Sequence, residues 1–376
     1  MKICILSMQD IQNFGSLLQS YSLKKILESL GHEVRFISIE PNADDNALMK
    51  DYEEDYSEES RRHKSLLMDK ISRFDKYLFN RMHNHNSIAL QNVEFDQFRN
   101  TELDIREDDQ NLHYDYCVIG SDEVFNCNAK TSWGFTTQLF GNVRQADHVI
   151  TYAASCGSTK IENVPEKAKK RIAEAFENIQ AFSVRDDNTK MFVGSLTDKA
   201  IQKHFDPVLI GDFSEEMSRS AHIQLPDHYC LVYSYYNRIS DKQEIKAIQS
   251  FCKKHNLEIV SIGGPQIWIK NHIVASPFQM LNVFKQAEFV VTDTFHGTIF
   301  STKYAQRFAT MIRGSNLNKL QDLINELGIK EHQVRNLTID ALEQTYRVPR
   351  DEGRIHELEN QGYKSAVNYL MNELNG

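Results

Sequence analysis

Short apolar runs alternate with amphipathic stretches from the first residues of the chain. Ile3–Leu6 is a continuous apolar run, as expected for a strand buried on both faces of a parallel sheet. The next segment has apolar residues at helical spacing up to Leu30, and Gly31 stands where a helix C-cap belongs. Val34–Ile39 is the following predicted strand. Strand, helix and strand within the first 39 residues predict a βαβ unit with a right-handed crossover.

The same alternation continues in two series along the chain. Further strands are predicted at 116–119, 148–152, 181–184 and 205–210 in the first series, and at 229–235, 257–262 and 289–292 in the second. Predicted helices occupy 166–178, 242–255, 277–286 and 298–304. Two successive βα arrays predict an α/β protein with two doubly wound, Rossmann-like domains facing a cleft.

The domain boundaries follow from these series. We expect an N-terminal Rossmann-like domain over 1–215, a C-terminal one over 216–345, and a helical segment over 346–376. An insertion at about 41–100 interrupts the first domain. It contains a strongly acidic stretch over 51–59 and then apolar residues at helical spacing. We expect an acidic, mobile stretch there, followed by helices packed on the first domain.

Composition narrows the class of protein. The 376 residues carry 43 Lys and Arg against 52 Asp and Glu, a net charge of −9, which argues against coating nucleic acid or anionic membrane. The six cysteines form no CxxC pair, so no zinc half-site is predicted. The first apolar run is too short for a secretory signal, and no stretch approaches the roughly 18 apolar residues of a membrane span. We expect a reduced, cytoplasmic protein without a transmembrane segment, compatible with peripheral membrane contact.

Two loops after predicted strands have polar residues that suit a ligand. In the first, Gly15 lets a ligand approach the backbone, Ser16 can cap the helix, and the helix N-terminus offers N–H groups to an anion. In the second, an apolar strand ends in Gly120-Ser121-Asp122, small residues and a carboxylate that suit a polyhydroxy substrate. Ordinary helix N-caps, at Ser121 or Asp122 in the second loop, are the alternative interpretation of both.

A third loop places Arg185 directly after an apolar strand. Its guanidinium can bind a carboxylate or a phosphate with two parallel hydrogen bonds. A structural salt bridge to Asp186 or Asp187 is the alternative.

The fourth loop is the most specific. A strand runs from Phe289 to Thr292 into a turn with His296, Gly297 and a helix that starts near Thr298. A histidine between a strand end and a helix N-terminus is suited to donate a proton or to bind phosphate near neutral pH.

These loops, in this order, resemble the polysaccharide pyruvyl transferase family. The resemblance rests on residues 13–23, 118–126, 150–157, 183–186, 206–207 and 291–297, and it extends over residues 1 to about 335. The chain departs from the family at Phe14 and Ser16, at Glu123-Val124-Phe125, where the family often has Gln-Val-Trp, and at Thr294, where it has Ser. A basic residue expected after the histidine helix is Lys319 or Arg313.

The resemblance implies a GT-B-like fold and a reaction. The pyruvyl unit of phosphoenolpyruvate is transferred onto two hydroxyls of a saccharide as a ketal, in surface polysaccharide biosynthesis, and phosphate is released. Phosphoenolpyruvate is a co-substrate, and no cofactor or metal is required, since arginine and helix dipole can balance the anions. The acceptor is expected to be a lipid-linked or nucleotide-linked saccharide, and no nucleic acid is involved.

The resemblance also implies roles for individual residues. Arg185 would hold the carboxylate or phosphate of the donor, and Asp122 would orient or deprotonate the sugar hydroxyl. His296 would bind phosphate or protonate the donor. The expected substrate-binding residues are Asn13, Gly15, Ser16, Ser121, Thr294, Gly297 and Thr298. Two alternatives remain open: a GT-B glycosyltransferase that uses a nucleotide sugar, and a saccharide-binding family member without catalysis.

Overall fold

The computed structural model describes residues 1–50, 52, 74–128, 130–314 and 317–374. They form two compact units. Unit 1 comprises Met1–Asp55, Phe98–Gly211 and Glu357–Gly376, and unit 2 comprises Tyr56–Gln97 and Asp212–His356.

Each unit contains a six-stranded sheet in which all paired strands are parallel. In unit 1 the strands are β1 (Lys2–Leu6), β2 (Glu33–Phe36), β3 (Tyr114–Ile119), β4 (Ala146–Thr151), β5 (Ile179–Val184) and β6 (Ile201–Lys203), in the order β2-β1-β3-β4-β5-β6. In unit 2 they are β7 (Tyr229–Ser234), β8 (Glu258–Gly263), β9 (Asn271–His272), β10 (Phe289–Thr292), β11 (Phe308–Met311) and β12 (Gln333–Val334), in the order β12-β11-β10-β7-β8-β9. Both sheets are doubly wound, so the predicted α/β class with two Rossmann-like units is confirmed.

Helices connect the strands. In chain order they are α1 (Phe14–Ser29), α2 (Ala43–Ala47), α3 (Phe74–Phe98), α4 (Glu166–Phe176), α5 (Asp187–Gly194), α6 (Pro207–Ile210), α7 (Ser214–Arg219), α8 (Lys242–Lys254), α9 (Pro277–Gln286), α10 (Phe295–Tyr304), α11 (Leu317–Leu327), α12 (Ile339–Tyr346) and α13 (Glu352–Leu374). Shorter turns of 3₁₀-helix lie at Glu107–Asn111, Thr137–Phe140, Ile161–Asn163 and Lys330–His332, and a π-helical turn follows α3 at Arg99–Leu103.

The central strands are buried as their apolar runs predict. All of β7 and β10 is buried, and so is β1 after its first residue. On unit 1 an aromatic cluster packs beside the sheet, with the ring centroids of Phe125 and Phe140, and of Phe125 and Phe176, both 5.3 Å apart. This cluster anchors the chain directly after β3, where the candidate residue Asp122 lies.

The prediction of a strand at 205–210 is wrong. The segment begins a helix, α6, because Pro207 occupies its first turn and Asp206 caps it, accepting from the Val208 N–H at 3.0 Å. The strand of this region is β6, which lies just before it and is less buried. The apolar residues of α6 are buried like a strand, and a four-residue apolar run does not by itself distinguish the two.

The helix of the insertion, expected to pack on the first domain, lies mostly in unit 2, and the C-terminal helical segment, predicted as a separate segment, ends in unit 1. The long helix of the insertion, α3, lies in unit 2 for most of its length, and Gln91 exchanges two hydrogen bonds with the backbone of Ala275, at 2.8 and 3.2 Å. The C-terminal helix α13 ends in unit 1, where the Tyr369 hydroxyl donates to the Thr151 carbonyl at 2.9 Å. The predicted acidic stretch at 51–59 lies, apart from Tyr52, outside the described residues.

Candidate functional site

In unit 1 the loops after β1 and β3 leave the sheet where the strand order reverses, the position at which doubly wound sheets bind their ligands. One side chain from each loop meets there. The hydroxyl of Ser16, in the first turn of α1, donates to Asp122 Oδ2 at 2.7 Å. The two loops predicted separately to contact a substrate therefore form one site.

The start of α1 differs in detail from the prediction. Asn13, not Ser16, caps the helix, and its side-chain oxygen accepts from the Ser16 N–H at 2.8 Å. Gly15 is buried in the first helical turn, which contains no acidic residue. Because Asn13 takes the capping role, the Ser16 hydroxyl is left to hold Asp122.

Asp122 is held from its other side by Arg185. Arg185 Nη2 donates to Asp122 Oδ1 at 3.1 Å, and Nη1 donates to Asp206 Oδ2 at 2.7 Å. The Arg185 side chain is 2% exposed and that of Asp122 is 13% exposed. One guanidinium thus lies between two carboxylates, and Asp122 is the more accessible of those two acids.

The electrostatics of Arg185 follow from this position. Burial lowers the pKa of its guanidinium, but the carboxylates of Asp122 and Asp206 outweigh burial and raise the pKa above its ordinary value. The salt bridges of Arg185 that the structure shows are to Asp122 and Asp206, whereas its neighbours in sequence have other partners. Asp186 caps α5 by accepting from the Thr189 N–H, and Asp187 pairs with Lys203 at 2.9 Å.

The backbone after β3 brings these side chains together. Gly120 has a φ of 132°, and a Cβ there would lie 2.1 Å from the Tyr152 carbonyl oxygen, so only glycine fits. Ala154 forms isolated parallel bridges to Asp122 on one side and to Val184 on the other. The small residue after β4 therefore lets the side chains of Asp122, after β3, and Arg185, after β5, meet across it.

Ser121 contacts the cluster of Asp122, Arg185 and Asp206 through its buried hydroxyl. It is fully buried, and its hydroxyl lies 3.1 Å from the Ala153 carbonyl and 3.3 Å from Asp206 Oδ2. Neither Ser121 nor Asp122 caps a helix, which was the other interpretation of this loop. Asp206 is the residue of this site that was missed, although Asp206-Pro207 was among the stretches that carry the family resemblance.

In unit 2 the corresponding reversal of strand order lies between β7 and β10. The loop after β10 starts helix α10 at Phe295, three residues earlier than expected, because Thr294 is its N-cap and its hydroxyl accepts from the Gly297 N–H at 2.9 Å. His296 therefore lies in the first turn of the helix, partly buried. Its ring stacks on Phe300, with a centroid distance of 6.2 Å.

The residues around His296 stabilise the N-terminus of helix α10. The Thr298 hydroxyl is fully buried and donates to the Thr294 carbonyl at 2.9 Å. A Cβ on Gly297 would lie 2.2 Å from Thr292 Oγ1 and 2.6 Å from Tyr233 Cδ1. These three predicted substrate-binding residues, Thr294, Gly297 and Thr298, set the position of His296 within the fold.

A buried acid beside His296 organises two arginines. Asp293 is fully buried; its Oδ1 accepts from Ser234 at 2.6 Å, and its Oδ2 accepts from Arg313 Nε at 2.7 Å. Arg238 Nε lies 3.3 Å from the same Oδ2. Arg313 also donates to both carboxylate oxygens of Glu244, at 3.3 and 3.0 Å. The positive charges of the two arginines therefore balance the negative charges of Asp293 and Glu244.

Burial lowers the pKa of Arg313, but the carboxylates of Asp293 and Glu244 raise it above its ordinary value. Of the two basic residues expected after the histidine helix, Arg313 contacts this loop. Asp293, Arg238 and Glu244 were missed. Asp293 directly follows a fully buried strand, the local pattern that also indicates His296, whereas Arg238 and Glu244 reach the site only through the fold.

No group of three His, Cys, Asp or Glu side chains within the described ranges is arranged to hold a metal ion. Across the same part of the chain, none of the helices combines the length and the apolar content of a membrane span.

Comparison with known proteins identifies a family. The family model of polysaccharide pyruvyl transferases matches residues 13–313. No curated protein sequence matches the chain.

Solved structures are similar at low identity. The UDP-GlcNAc 2-epimerase of Methanocaldococcus jannaschii, in complex with UDP-GlcNAc and UDP, is 11% identical over 96% of this chain and 100% of its own, with a TM-score of 0.48. The glycosyltransferase SsfS6 of Streptomyces sp. SF2575, complexed with thymidine diphosphate, is 11% identical over 100% of both chains, with a TM-score of 0.47. The glycosyltransferase SnogD of Streptomyces nogalater is 12% identical over 100% of this chain and 99% of its own, with a TM-score of 0.41. Similarity at this level carries no information about a ligand.

Proposed function

Because the chain belongs to the polysaccharide pyruvyl transferase family, we propose that it transfers the pyruvyl group of phosphoenolpyruvate onto a saccharide as a ketal, in surface polysaccharide biosynthesis. The observation that carries the proposal is the Ser16–Asp122–Arg185 chain of hydrogen bonds at the point where the unit 1 sheet reverses its strand order. The acceptor in this proposal is a lipid-linked or nucleotide-linked precursor in the cytoplasm.

The reaction sets definite demands. Two hydroxyls of the acceptor form two C–O bonds to the central carbon of phosphoenolpyruvate, and the bond from that carbon to the phosphate oxygen breaks. The two hydroxyls lose two protons. One proton is balanced by protonation of the methylene carbon, which becomes a methyl group, and the other leaves with phosphate. The enzyme must therefore accept a proton from oxygen and deliver one to carbon.

Asp122 suits the acceptance of the hydroxyl proton. An ionised carboxylate has roughly four acceptor positions. Ser16 and Arg185 occupy one on each oxygen of Asp122, which leaves room for a substrate hydroxyl on the exposed part of this side chain. Both bonds also fix the orientation of the carboxylate, so that it is placed before the substrate binds.

Arg185 acts in this proposal as a positioning residue. Both of its terminal nitrogens donate to carboxylates and its side chain is 2% exposed, so it orients Asp122 and balances two buried acids. This arrangement favours a positioning role over the role in binding the donor that the resemblance implies.

His296 suits the handling of the donor. It lies in the first turn of α10, which contains no acidic residue, and the positive end of the helix dipole favours an anion there. In our proposal His296 binds the phosphate of the donor or protonates its methylene carbon.

The test is ³¹P NMR of phosphoenolpyruvate with the protein and each of four saccharides: the methyl glycosides of glucose, galactose and mannose, and UDP-N-acetylglucosamine. We expect inorganic phosphate to appear only when an acceptor is present. The ¹³C spectrum of the product distinguishes ketal formation from simple hydrolysis of the phosphate ester, because the central carbon carries two sugar oxygens in the ketal and is a ketone carbon in the free pyruvate that hydrolysis gives.

Matched variants test the residues. His296→Ala should abolish phosphate release without loss of folding. His222 is an exposed histidine of the same unit, and His222→Ala should release phosphate at the parental rate. Undiminished release by His296→Ala would exclude its role. If UDP-N-acetylglucosamine were cleaved and phosphoenolpyruvate left intact, the protein would be a glycosyltransferase. Saccharide binding without either reaction would indicate a binding protein.

A further inference from the structure

Two neighbouring tyrosines are exposed at the carboxyl edge of the unit 2 sheet. Tyr235 is 53% exposed and Tyr236 is 50% exposed, directly after the fully buried strand β7. Among the exposed large apolar side chains of the described residues, only these two and Tyr363 are aromatic. An aromatic pair left in solvent beside a buried strand indicates a surface that is covered by something else.

The loop that carries the two tyrosines is held rigidly. The buried side chain of Gln266 donates to the Tyr235 and Gly264 carbonyls, both at 2.8 Å, and accepts from the Ile239 N–H at 3.1 Å. The Asn237 N–H donates to the Pro265 carbonyl at 2.9 Å. Three hydrogen bonds of one buried amide fix the backbone on both sides of the tyrosines, so the loop loses little backbone entropy when a ligand binds.

Arg238 completes the surface. Its guanidinium carbon lies 5.4 Å from the centroid of the Tyr235 ring, and its Nε lies 3.3 Å from Asp293. The side chain is 23% exposed, so a charged donor reaches solvent next to the aromatic rings. Because Asp293 and Tyr235 hold the arginine in place, its position relative to the rings is set by the fold.

The position of this loop in the sheet supports the binding of a ligand here. The loop follows β7 and the His296 turn follows β10, the two strands between which the strand order of unit 2 reverses. Asp293 joins the two loops, since it accepts from Ser234 at the end of β7 and lies beside Arg238. The crevice at such a point is where doubly wound sheets bind small molecules.

We propose that Tyr235, Tyr236 and Arg238 bind the ring of the acceptor saccharide. The C–H face of a sugar ring would stack on the tyrosines, and the Arg238 guanidinium would donate hydrogen bonds to its hydroxyls. A proposal about the acceptor rests on the proposed pyruvyl transfer, but the binding of a saccharide is measured without phosphoenolpyruvate and without turnover.

The experiment is saturation-transfer difference NMR on the full chain with methyl β-glucopyranoside, methyl β-galactopyranoside and methyl α-mannopyranoside. We expect transfer to the C–H protons on one face of the ring for at least one of these. The double variant Tyr235→Ala, Tyr236→Ala should weaken binding about fivefold or more, and the double Phe variant should retain it. Tyr363→Ala, an exposed tyrosine of unit 1, is the matched control and should bind as the parent does.

The outcomes separate the two proposals. Absence of transfer from all three glycosides, or equal binding by the double Ala variant, would overturn the saccharide site. Loss of binding in the double Ala variant with an unchanged circular dichroism spectrum supports it. If the phosphate assay finds no use of phosphoenolpyruvate while saccharide binding still depends on the tyrosines, the site stands and the pyruvyl transfer fails.

Discussion

Arg185 Nη1 donates to Asp206 Oδ2 at 2.7 Å, and the two side chains are 2% and 1% exposed. The same guanidinium holds Asp122, whose other oxygen accepts from Ser16. Asp122, the more exposed of the two acids that Arg185 contacts, is therefore held by an arginine that also forms a buried ion pair, so one residue contributes both to the stability of unit 1 and to the geometry of the site.

The first prediction concerns that pair. Arg185→Ala leaves two carboxylates without their cation, and breaking a buried ion pair costs about 3–5 kcal/mol. We expect urea unfolding to show a loss of this size, against less than about 1 kcal/mol for Arg144→Ala, whose exposed pair with Glu40 is the control. Adding Asp206→Asn, which can still cap α6, should recover part of the loss. Equal stability of the two single variants would contradict the structural role of Arg185.

The second prediction concerns Asp122. Asp122→Asn keeps the size of the side chain but removes its ability to accept a proton. Removal of a general base typically costs about 10²–10⁴-fold in rate. We expect a loss of that order in phosphate release from phosphoenolpyruvate, with the KM of the donor little changed. Asp108→Asn, an exposed aspartate of the same unit, should have parental activity. Activity within twofold of the parent would exclude Asp122 as the base.

The third prediction concerns the start of α10. A Cβ at Gly297 would lie 2.2 Å from Thr292 Oγ1 and 2.5 Å from Thr294 Oγ1, whereas a Cβ at Gly314 meets nothing within 4 Å. Gly297→Ala should therefore destabilise the protein by about 1–3 kcal/mol, as overpacking does, and Gly314→Ala should not. Thermal unfolding measures both. Similar melting temperatures would show that the turn around His296 yields more easily than its contacts indicate.

The fourth prediction is a pH dependence. His204 accepts or donates a hydrogen bond with Ser183 at 2.8 Å, and its ring lies 4.7 Å from that of Tyr369 on α13. Burial lowers the pKa of His204 from 6.5 to about 4. Above pH 6.5 the imidazole is neutral in both the folded and the unfolded chain. Between about pH 6.5 and 4 the unfolded chain binds a proton that the folded chain does not, so stability falls as the pH falls.

Urea unfolding at several pH values measures this effect. One proton corresponds to at most about 1.4 kcal/mol per pH unit. His204→Gln should flatten the dependence in this window, and His222→Gln, at an exposed position, should not. The same slope in parent and His204→Gln would assign the acid sensitivity to other groups.

Much of the fold could be predicted because local pattern determines it. The continuous apolar runs at β1, β3, β7 and β10 are buried on both faces, and runs of this kind are typical of parallel sheets. The prediction failed where the same pattern serves two structures. The run Pro207–Ile210 forms a buried helix, because the capping oxygen of Asp206 and the proline after it decide the backbone.

Most of the strands and helices, and the loops that we propose to contact substrate, could be located from the sequence alone, since strand ends and helix starts are local features. The partners of each side chain were decided only by tertiary structure. Arg185 has Asp186 as its neighbour in sequence, yet it pairs with Asp122 and Asp206, which are 63 and 21 residues away. Because parallel strands bring their carboxyl ends to one edge, residues far apart in sequence meet there, and no local pattern encodes which of them will pair.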